Sequence, residues 1–290
     1  MTGADWIAAD WGTSRLRLWG MAGAEPVWRE SSGDGSAGLA ADGFAPALEA
    51  LIARHAPAPR PVLLCGSAGA REGWRTAPYR SVPCTPGPEA ADLTRIETAA
   101  HDVAILPGLS QDAPPDIMRS EETQIAGLLA LDPDFDGVAV LPGTHTKWAR
   151  VSAGEVVSFR TAMTGEIHAQ LAERSLLRHS LGTWDDDAFG LAVADGIAHP
   201  QRLAAELFAI RAADILHGAA HGRARLSGLL IGAELAAMRP YWLGQRLALI
   251  GEADLVGRYA AALAAQGAPA ERHGAEACTL AGLWAARGLM

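Results

Sequence analysis

Val138-Ala139-Val140-Leu141-Pro142-Gly143-Thr144-His145-Thr146-Lys147-Trp148 reads as a buried strand, a tight glycine turn, and a polar rim of two threonines, a histidine and a lysine. Such a turn leaves backbone N–H groups and hydroxyls facing open space, a setting that suits an anion. Of the 24 Lys and Arg residues, Lys147 is the only lysine. An ammonium is a compact point charge fitted to phosphate or carboxylate, whereas arginine presents a planar fork. A chain that uses arginine everywhere else and keeps one lysine on a glycine turn marks Lys147 as a candidate functional cation. The bland alternative is a surface lysine on a hairpin.

The pattern has an echo near the N-terminus, Asp10-Trp11-Gly12-Thr13-Ser14-Arg15-Leu16-Arg17-Leu18-Trp19. An apolar run, Trp6 to Ala9, again enters a Gly-Thr turn with a cation and an aromatic beyond it. The two Gly-Thr turns lie about half a chain apart. They point to a duplicated unit that clamps a polyphosphate from both sides. There is no Walker A pattern, because no glycine run precedes a Gly-Lys-Ser/Thr.

At 290 residues the chain suits two lobes better than one core. A net charge of −9 argues against a nucleic-acid partner, which needs a basic face. Cys65, Cys84 and Cys278 are far apart and form no zinc spacing, which points to reduced thiols in a cytosolic protein. The opening Met1-Thr2-Gly3-Ala4-Asp5 lacks the basic and apolar regions of a signal peptide. No apolar run approaches the ~20 residues that span a bilayer.

In chain order, Asp5–Ala9, Arg15–Trp19 and Glu25–Glu30 read as three strands, the second with clear alternation. A helix capped by Asp42 carries Phe44, Leu48, Leu51, Ile52 and His55 on one face and is ended by Pro57, Pro59 and Pro61. Val62–Cys65 is a buried strand. The small residues that follow it, Gly66-Ser67-Ala68-Gly69, let a ligand approach the backbone, with Arg71 and Arg75 as candidate ligands of a carboxylate or hydroxyl. Tyr79–Ala91 reads as a loop, Val103–Gly108 as a parallel strand, and Gln111–Pro115 as a turn-rich connection. Ser120 is expected to cap a helix running to Leu131.

Glu121 and Glu122 open that helix. Two acids in a first turn favour the helix dipole by ~0.3–1 kcal/mol each. A carboxylate there can also accept a hydroxyl proton during phosphoryl transfer. The second half repeats the plan, with strands at Val138–Leu141, Thr146–Ser152 and Glu155–Phe159, and a helical insertion over about 167–222. Asp185-Asp186-Asp187 reads as a solvated cap and not a metal cluster, because three consecutive residues cannot share a helix face. Leu229–Glu234 is expected to be the crossover strand and Leu247–Ile250 the last strand. A closing helix carries Leu280, Leu283 and Trp284.

Four segments in order carry a resemblance over nearly the whole chain. They are Asp10-Trp11-Gly12-Thr13-Ser14, Cys65-Gly66-Ser67 through Gly73-Trp74 to Ala77-Pro78-Tyr79, Met118-Arg119-Ser120-Glu121-Glu122-Thr123-Gln124, and Leu141 to Trp148. Together they resemble the 2-dehydro-3-deoxygalactonokinases of the sugar kinase/actin/Hsp70 superfamily. That family's third motif is usually Arg-Gly-Glu-Glu-Thr. Ser120 stands at the glycine here, which reads as a mild change at a helix cap.

The resemblance implies an α/β fold of two ribonuclease-H-like (actin-like ATPase) lobes, 1–130 and 131–290, with a cleft between them. The last helix is free to pack back on the first lobe. It implies a cytoplasmic kinase that moves the γ-phosphoryl of ATP to the 6-hydroxyl of 2-dehydro-3-deoxy-D-galactonate. Asp10 would hold Mg2+ through water. Gly12, Thr13 and Ser14 would meet the phosphates from one side and Gly143 and Thr144 from the other, with Lys147 adding charge. Gly232 and Gly251 would lie near the nucleotide, and Glu121 or Glu122 would take the hydroxyl proton. Gly66 and Ser67 would border the substrate, and Arg71 or Arg119 would bind its carboxylate. No nucleic-acid or membrane partner is implied, and a homodimer is left open. Three other readings stay open on the residues. A glucokinase-like enzyme would need no carboxylate-binding arginine. A non-catalytic sugar sensor acting as a repressor would need a basic helix-turn-helix ahead of the first strand. A phosphohydrolase of the same fold would act on polyphosphate.

Overall fold

The computed structural model describes residues 3–55, 59–98 and 100–290. Pro57, one of the prolines expected to end the first helix, lies outside them.

The chain opens with β1 (Trp6–Trp11), β2 (Leu16–Ala22) and β3 (Glu25–Ser32), joined antiparallel in sequence order. Every residue of β1 is buried, as suits a central strand covered on both faces. Helix α1 (Phe44–Ile52) buries Phe44, Leu48, Leu51 and Ile52 of the expected stripe, but His55 lies beyond its end, and Asp42 sits in the preceding 3-10 turn and supplies no side-chain cap. The chain then crosses over to β4 (Val62–Gly66), which runs parallel to β1 with Asp10 opposite Cys65 and Trp11 opposite Gly66. There follow β5 (Tyr79–Ser81), β6 (Thr94–Glu97), β7 (Asp102–Ile105), β8 (Gly108–Asp112), β9 (Pro115–Met118) and α2 (Glu121–Leu131). The main sheet has the order β3-β2-β1-β4-β7-β6, and its first five strands form the ribonuclease-H-like arrangement.

A second cycle begins with β10 (Gly137–Leu141), β11 (Thr146–Ser152) and β12 (Glu155–Ala162). The helical insertion follows as α3 (Thr164–Arg174), α4 (Asp186–Ala198) and α5 (Leu203–His217). The rest is α6 (Gly222–Ala237), α7 (Arg239–Trp242), β13 (Leu247–Gly251), α8 (Ala253–Ala264), β14 (Glu271–Gly274) and α9 (Ala275–Ala286). The sheet order β12-β11-β10-β13-β14 repeats the first, with β10, β13 and β14 parallel. Contacts divide the chain into two compact units. The first holds Met1–Asp136, Val151–Ser158 and Ala275–Met290, and the second Gly137–Arg150 and Phe159–Gly274.

Several expectations are corrected. Leu229–Glu234 lies inside α6, and the crossover strand parallel to β10 is β13. An apolar run reads the same in a buried helix as in a buried strand, and α6 is buried around most of its circumference. The last strand is β14, whose exposed Glu-Arg-His-Gly gives no apolar signal. The sequence reads as loop over Tyr79–Ala91 and as a turn over Gln111–Pro115, where the structure has the small sheet β5-β8-β9; β5 and β9 are short and bury only Met118 between them, which leaves little apolar signal. Trp284 is exposed, although it stacks loosely on Trp6. Asp185 does cap α4, accepting from the Ala188 N–H at 2.7 Å.

In the first unit the sheet is covered on both faces. Ile7, Ala9, Trp11, Leu16 and Leu18 pack on α1, while Trp6, Ala8, Trp19, Leu63 and Cys65 pack towards α9. Helix α9 also crosses α2 at two glycines. A Cβ on Gly127 would run into the Cys278 carbonyl, and one on Gly282 into the Thr123 carbonyl. This crossing holds the first turn of α2, where Glu121 and Glu122 sit. Gly127→Ala should therefore lower stability by about 1–3 kcal/mol, the usual cost of overpacking. Denaturant unfolding checks this, and wild-type stability would mean the helices do not meet so closely.

Candidate functional site

In the first unit, Asp10, the Gly12-Thr13-Ser14 turn, Gly66, Ser67 and the acids of α2 gather at the carboxyl ends of β1 and β4. Asp10 is buried at the end of β1. Its Oδ2 accepts from Arg17 Nη2 at 2.7 Å, and its Oδ1 accepts from Ser120 Oγ at 3.1 Å. Cys65, opposite Asp10 on β4, has its thiol pKa pushed well up by burial and then by the charges of Asp10 and Glu122. Two acids acting on one thiol place both carboxyls at this spot.

Residues 118–122 make the turn. The Arg119 N–H donates to Glu121 Oε2 and the Ser120 N–H to Glu122 Oε1, each at 3.0 Å. The acids thus cap the helix start by reaching back. The expected side-chain cap from Ser120 is absent; its hydroxyl is engaged by Asp10 instead. Nor is serine a mild change here. Ser120 has φ 98° and ψ −41°, a conformation that favours glycine.

Glu122 is 3% exposed, and its Oε1 also accepts from Thr123 Oγ1, while its Oε2 has no hydrogen-bond partner. Burial, then the neighbouring Glu121 charge, pushes its pKa up to about 8. Glu121 is only half-buried. The two acids predicted as alternatives therefore stand in different environments.

Gly66 has φ 107°, and a Cβ there would strike the Trp11 carbonyl, so the chain after β4 passes close against the end of β1. Ser67 Oγ donates to that carbonyl at 2.8 Å and meets Ser36 Oγ at 2.6 Å. Arg119 Nη2 donates to the Ala77 carbonyl at 2.8 Å, and its guanidinium lies 4.3 Å from the Tyr79 ring centroid. Its Nε and Nη1 are buried without a partner. Arg71 is exposed and enters none of these contacts. The Gly12-Thr13-Ser14 turn is closed by a Gly12 N–H to Arg15 carbonyl bond and is braced by the Ser36 and Ala37 N–H groups, leaving Thr13 and Ser14 exposed.

In the second unit the Gly143-Thr144 turn rests on the first turn of α3. The Glu166 N–H donates to the Thr144 carbonyl at 2.9 Å, and His145 Nε2 lies 2.6 Å from Glu166 Oε2. Beside them is a pocket of about 290 Å3, lined by Gly143, Gly165, Leu230 and Ile231 among others, with Thr144, Thr164, His168, Ser227, Arg258 and Tyr259 supplying polar groups. Gly251 ends β13 beside the Pro142 carbonyl.

Gly232 does not belong with these. It is buried in α6, where a Cβ would strike the Val193 carbonyl of α4, so its small size serves helix packing. Lys147 is not on the turn's rim either. It lies in β11, 6% exposed, with Nζ donating to Thr161 Oγ1 at 3.0 Å. Sequence reasoning missed Arg17, although its place across the hairpin from Asp10 was open to view in the strand alternation. It also missed the pocket residues on α3, α6 and α8, which form no motif.

The Glu122 shift has a consequence for stability. An acid whose folded pKa is raised stabilises the fold fully below its unfolded value of 4.5 and loses that contribution as pH rises towards about 8. Between those limits the wild type should lose stability relative to Glu122→Gln, by no more than about 4 kcal/mol at ~1.4 kcal/mol per pKa unit. Melting curves of both proteins at pH 5 and pH 8.5 check this; parallel pH profiles would refute it.

The chain matches the family model described as 2-keto-3-deoxy-galactonokinase over residues 10–286. It is 39% identical to the probable 2-dehydro-3-deoxygalactonokinase of Rhizobium meliloti (strain 1021), across 99% of this chain and 98% of the relative. It is 35% identical to the 2-dehydro-3-deoxygalactonokinase of Escherichia coli (strain K12), across 91% of each. A crystal structure from Sinorhizobium meliloti, provisionally named a 2-dehydro-3-deoxygalactonokinase, superposes with a TM-score of 0.90 at 36% identity, covering 97% of this chain and 95% of that one.

Proposed function

The chain belongs to the 2-keto-3-deoxy-galactonokinase family, and we propose how its residues divide the work of phosphorylating 2-dehydro-3-deoxygalactonate. The acceptor is the 6-hydroxyl and the donor is ATP, the reaction serving galactonate breakdown. The observation that carries this assignment is the convergence of Asp10 with the paired acids of α2 through Ser120.

Phosphoryl transfer is mostly positioning and charge stabilisation, with one proton to remove from the attacking hydroxyl. Glu121 takes that proton. A base must touch the hydroxyl, and Glu121 is the half-exposed member of the pair. Glu122 is shut away with one oxygen doubly bonded by donors, and a pKa of about 8 keeps it protonated at neutral pH. It organises the turn. Arg119 binds the substrate carboxylate in preference to Arg71, since two of its buried guanidinium nitrogens have no partner. A buried cation with donors unsatisfied is costly, and a carboxylate relieves that cost. Gly66 and Ser67 border the sugar acid.

The second unit receives the nucleotide. Its pocket is apolar with a few polar groups, and it is bordered by backbone at the Gly143-Thr144 turn and the start of α3, a setting suited to phosphate. Lys147 adds positive charge from β11. In the first unit, Thr13 and Ser14 offer exposed hydroxyls for phosphate contacts.

Mg2+ fits the first-unit residues in one respect. No group of three or more His, Cys, Asp or Glu among the described residues could cage an ion. Magnesium keeps several waters and often takes only one or two protein carboxylates, so Asp10, with both oxygens oriented, is sufficient as its protein anchor. When bound, the ion would neutralise phosphate charge.

Glu121→Gln should lower kcat by roughly a hundredfold or more, the usual scale for a general base, with the KM for the sugar acid nearly kept. Glu122→Gln should cost far less. If Glu121→Gln keeps wild-type kcat, the base is another group. The substrate is tested by ADP release over a panel of 2-keto-3-deoxy acids and neutral hexoses. Turnover should be confined to the acids, and a hexose used equally well would overturn this reading.

A further inference from the structure

Two non-glycine residues have positive φ among the described residues, Ala153 at 52° and Ser120 at 98°. Ala153 sits in an ordinary left-handed turn position between β11 and β12. Ser120, with ψ −41°, lies outside that region and near the rare γ-turn values, where an L side chain is strained. Glycine would adopt this conformation without penalty. The backbone alone therefore argues for glycine, and only the side chain argues for serine.

That side chain is fully committed. Ser120 Oγ donates to Asp10 Oδ1 at 3.1 Å and lies 3.8 Å from Cys65 Sγ. The other oxygen of Asp10 is held by Arg17 at 2.7 Å. With both oxygens held, the carboxylate cannot swing about its own axis. The main chain of Ser120 is equally engaged. Its N–H reaches Glu122 at 3.0 Å, and its carbonyl accepts from the Thr123 N–H at 3.1 Å and the Gln124 N–H at 3.3 Å. One strained residue thus ties an acid at the end of β1 to the acid turn of α2, across 110 positions of sequence.

We propose that Ser120 is a positioning residue, kept at a backbone cost because its hydroxyl fixes the orientation of Asp10 for phosphoryl transfer. This rests on the reading of Asp10 as the anchor for the metal–phosphate group. The hydroxyl does not touch the reacting atoms; it acts through the carboxylate it holds.

The test uses Ser120→Ala, Ser120→Gly and Asp10→Asn in the full chain. For each, calorimetry reads the affinity for Mn2+ in the presence of ADP, kinetics reads kcat and the KM for the sugar acid, and thermal melting reads stability. Ser120→Ala keeps the strain and loses the hydroxyl. It should bind Mn2+ and turn over at least threefold more weakly than wild type, with KM unchanged, a pattern that a purely structural role would not produce. A change below threefold in both quantities overturns the proposal. Ser120→Gly loses the hydroxyl and the strain together, so it should match Ser120→Ala in metal affinity and yet melt higher. Melting at or below Ser120→Ala would overturn the claim of a backbone cost. If Asp10→Asn itself keeps wild-type metal affinity and turnover, the reading of Asp10 falls, and this proposal with it. If Asp10→Asn is impaired and Ser120→Ala is not, only the role of Ser120 falls.

Discussion

The close parallel pairing of β1 with β4 is the constraint on which the first unit's site depends. It sets Asp10 beside Cys65 and Trp11 beside Gly66. At Gly66 the chain passes so near the Trp11 carbonyl that no side chain fits, and φ is 107°. Because the strands end together there, Ser67 can close on the Trp11 carbonyl and α2 can begin over Asp10. A side chain at position 66 would part the strand ends and separate the acids from the turn that holds them.

The second dependence is electrostatic. Asp10 and Glu122 are both buried, and both act on the Cys65 thiol. Two buried negative charges so placed would repel strongly in a low dielectric. The structure answers each differently. Asp10 has an arginine and a hydroxyl as donors. Glu122 has a backbone N–H and a threonine hydroxyl, which leaves burial dominant and raises its pKa to about 8. Glu122 is thereby suited to remain a proton-bearing brace at neutral pH.

How much of this was legible followed from locality. The strands before and after each glycine turn, and the helix opening at Glu121, were readable because strand alternation and helix starts are written in adjacent residues. The repeated sheet order followed from seeing that the two turns match. Leu229–Glu234 was misread because a buried helix and a buried strand share one apolar signature. The strain at Ser120 was invisible because backbone dihedrals at a turn depend on what closes over it, here Asp10 from the other end of the unit. The pocket of the second unit draws on α3, α6 and α8, brought together only by packing, so no window of sequence contains it.

The duplication also explains where the lone lysine sits. In each unit a Gly-Thr turn follows the first strand, and a cation occupies the second place of the next strand, Arg17 in β2 and Lys147 in β11. The residue after each is core, Leu18 in one and Trp148 in the other. The copies differ two places before the glycine, where the first has Asp10 and the second Leu141. Arg17 therefore meets a carboxylate from its own hairpin, whereas Lys147 meets none from that place and donates instead to the Thr161 hydroxyl of β12. The compact ammonium of lysine fits a 6% exposed strand position better than a guanidinium fork would. The repeated hairpin thus carries two different polar pairs, an arginine on a carboxylate in one copy and a lysine on a hydroxyl in the other, because the residue two places before the glycine is Asp10 in the first and Leu141 in the second.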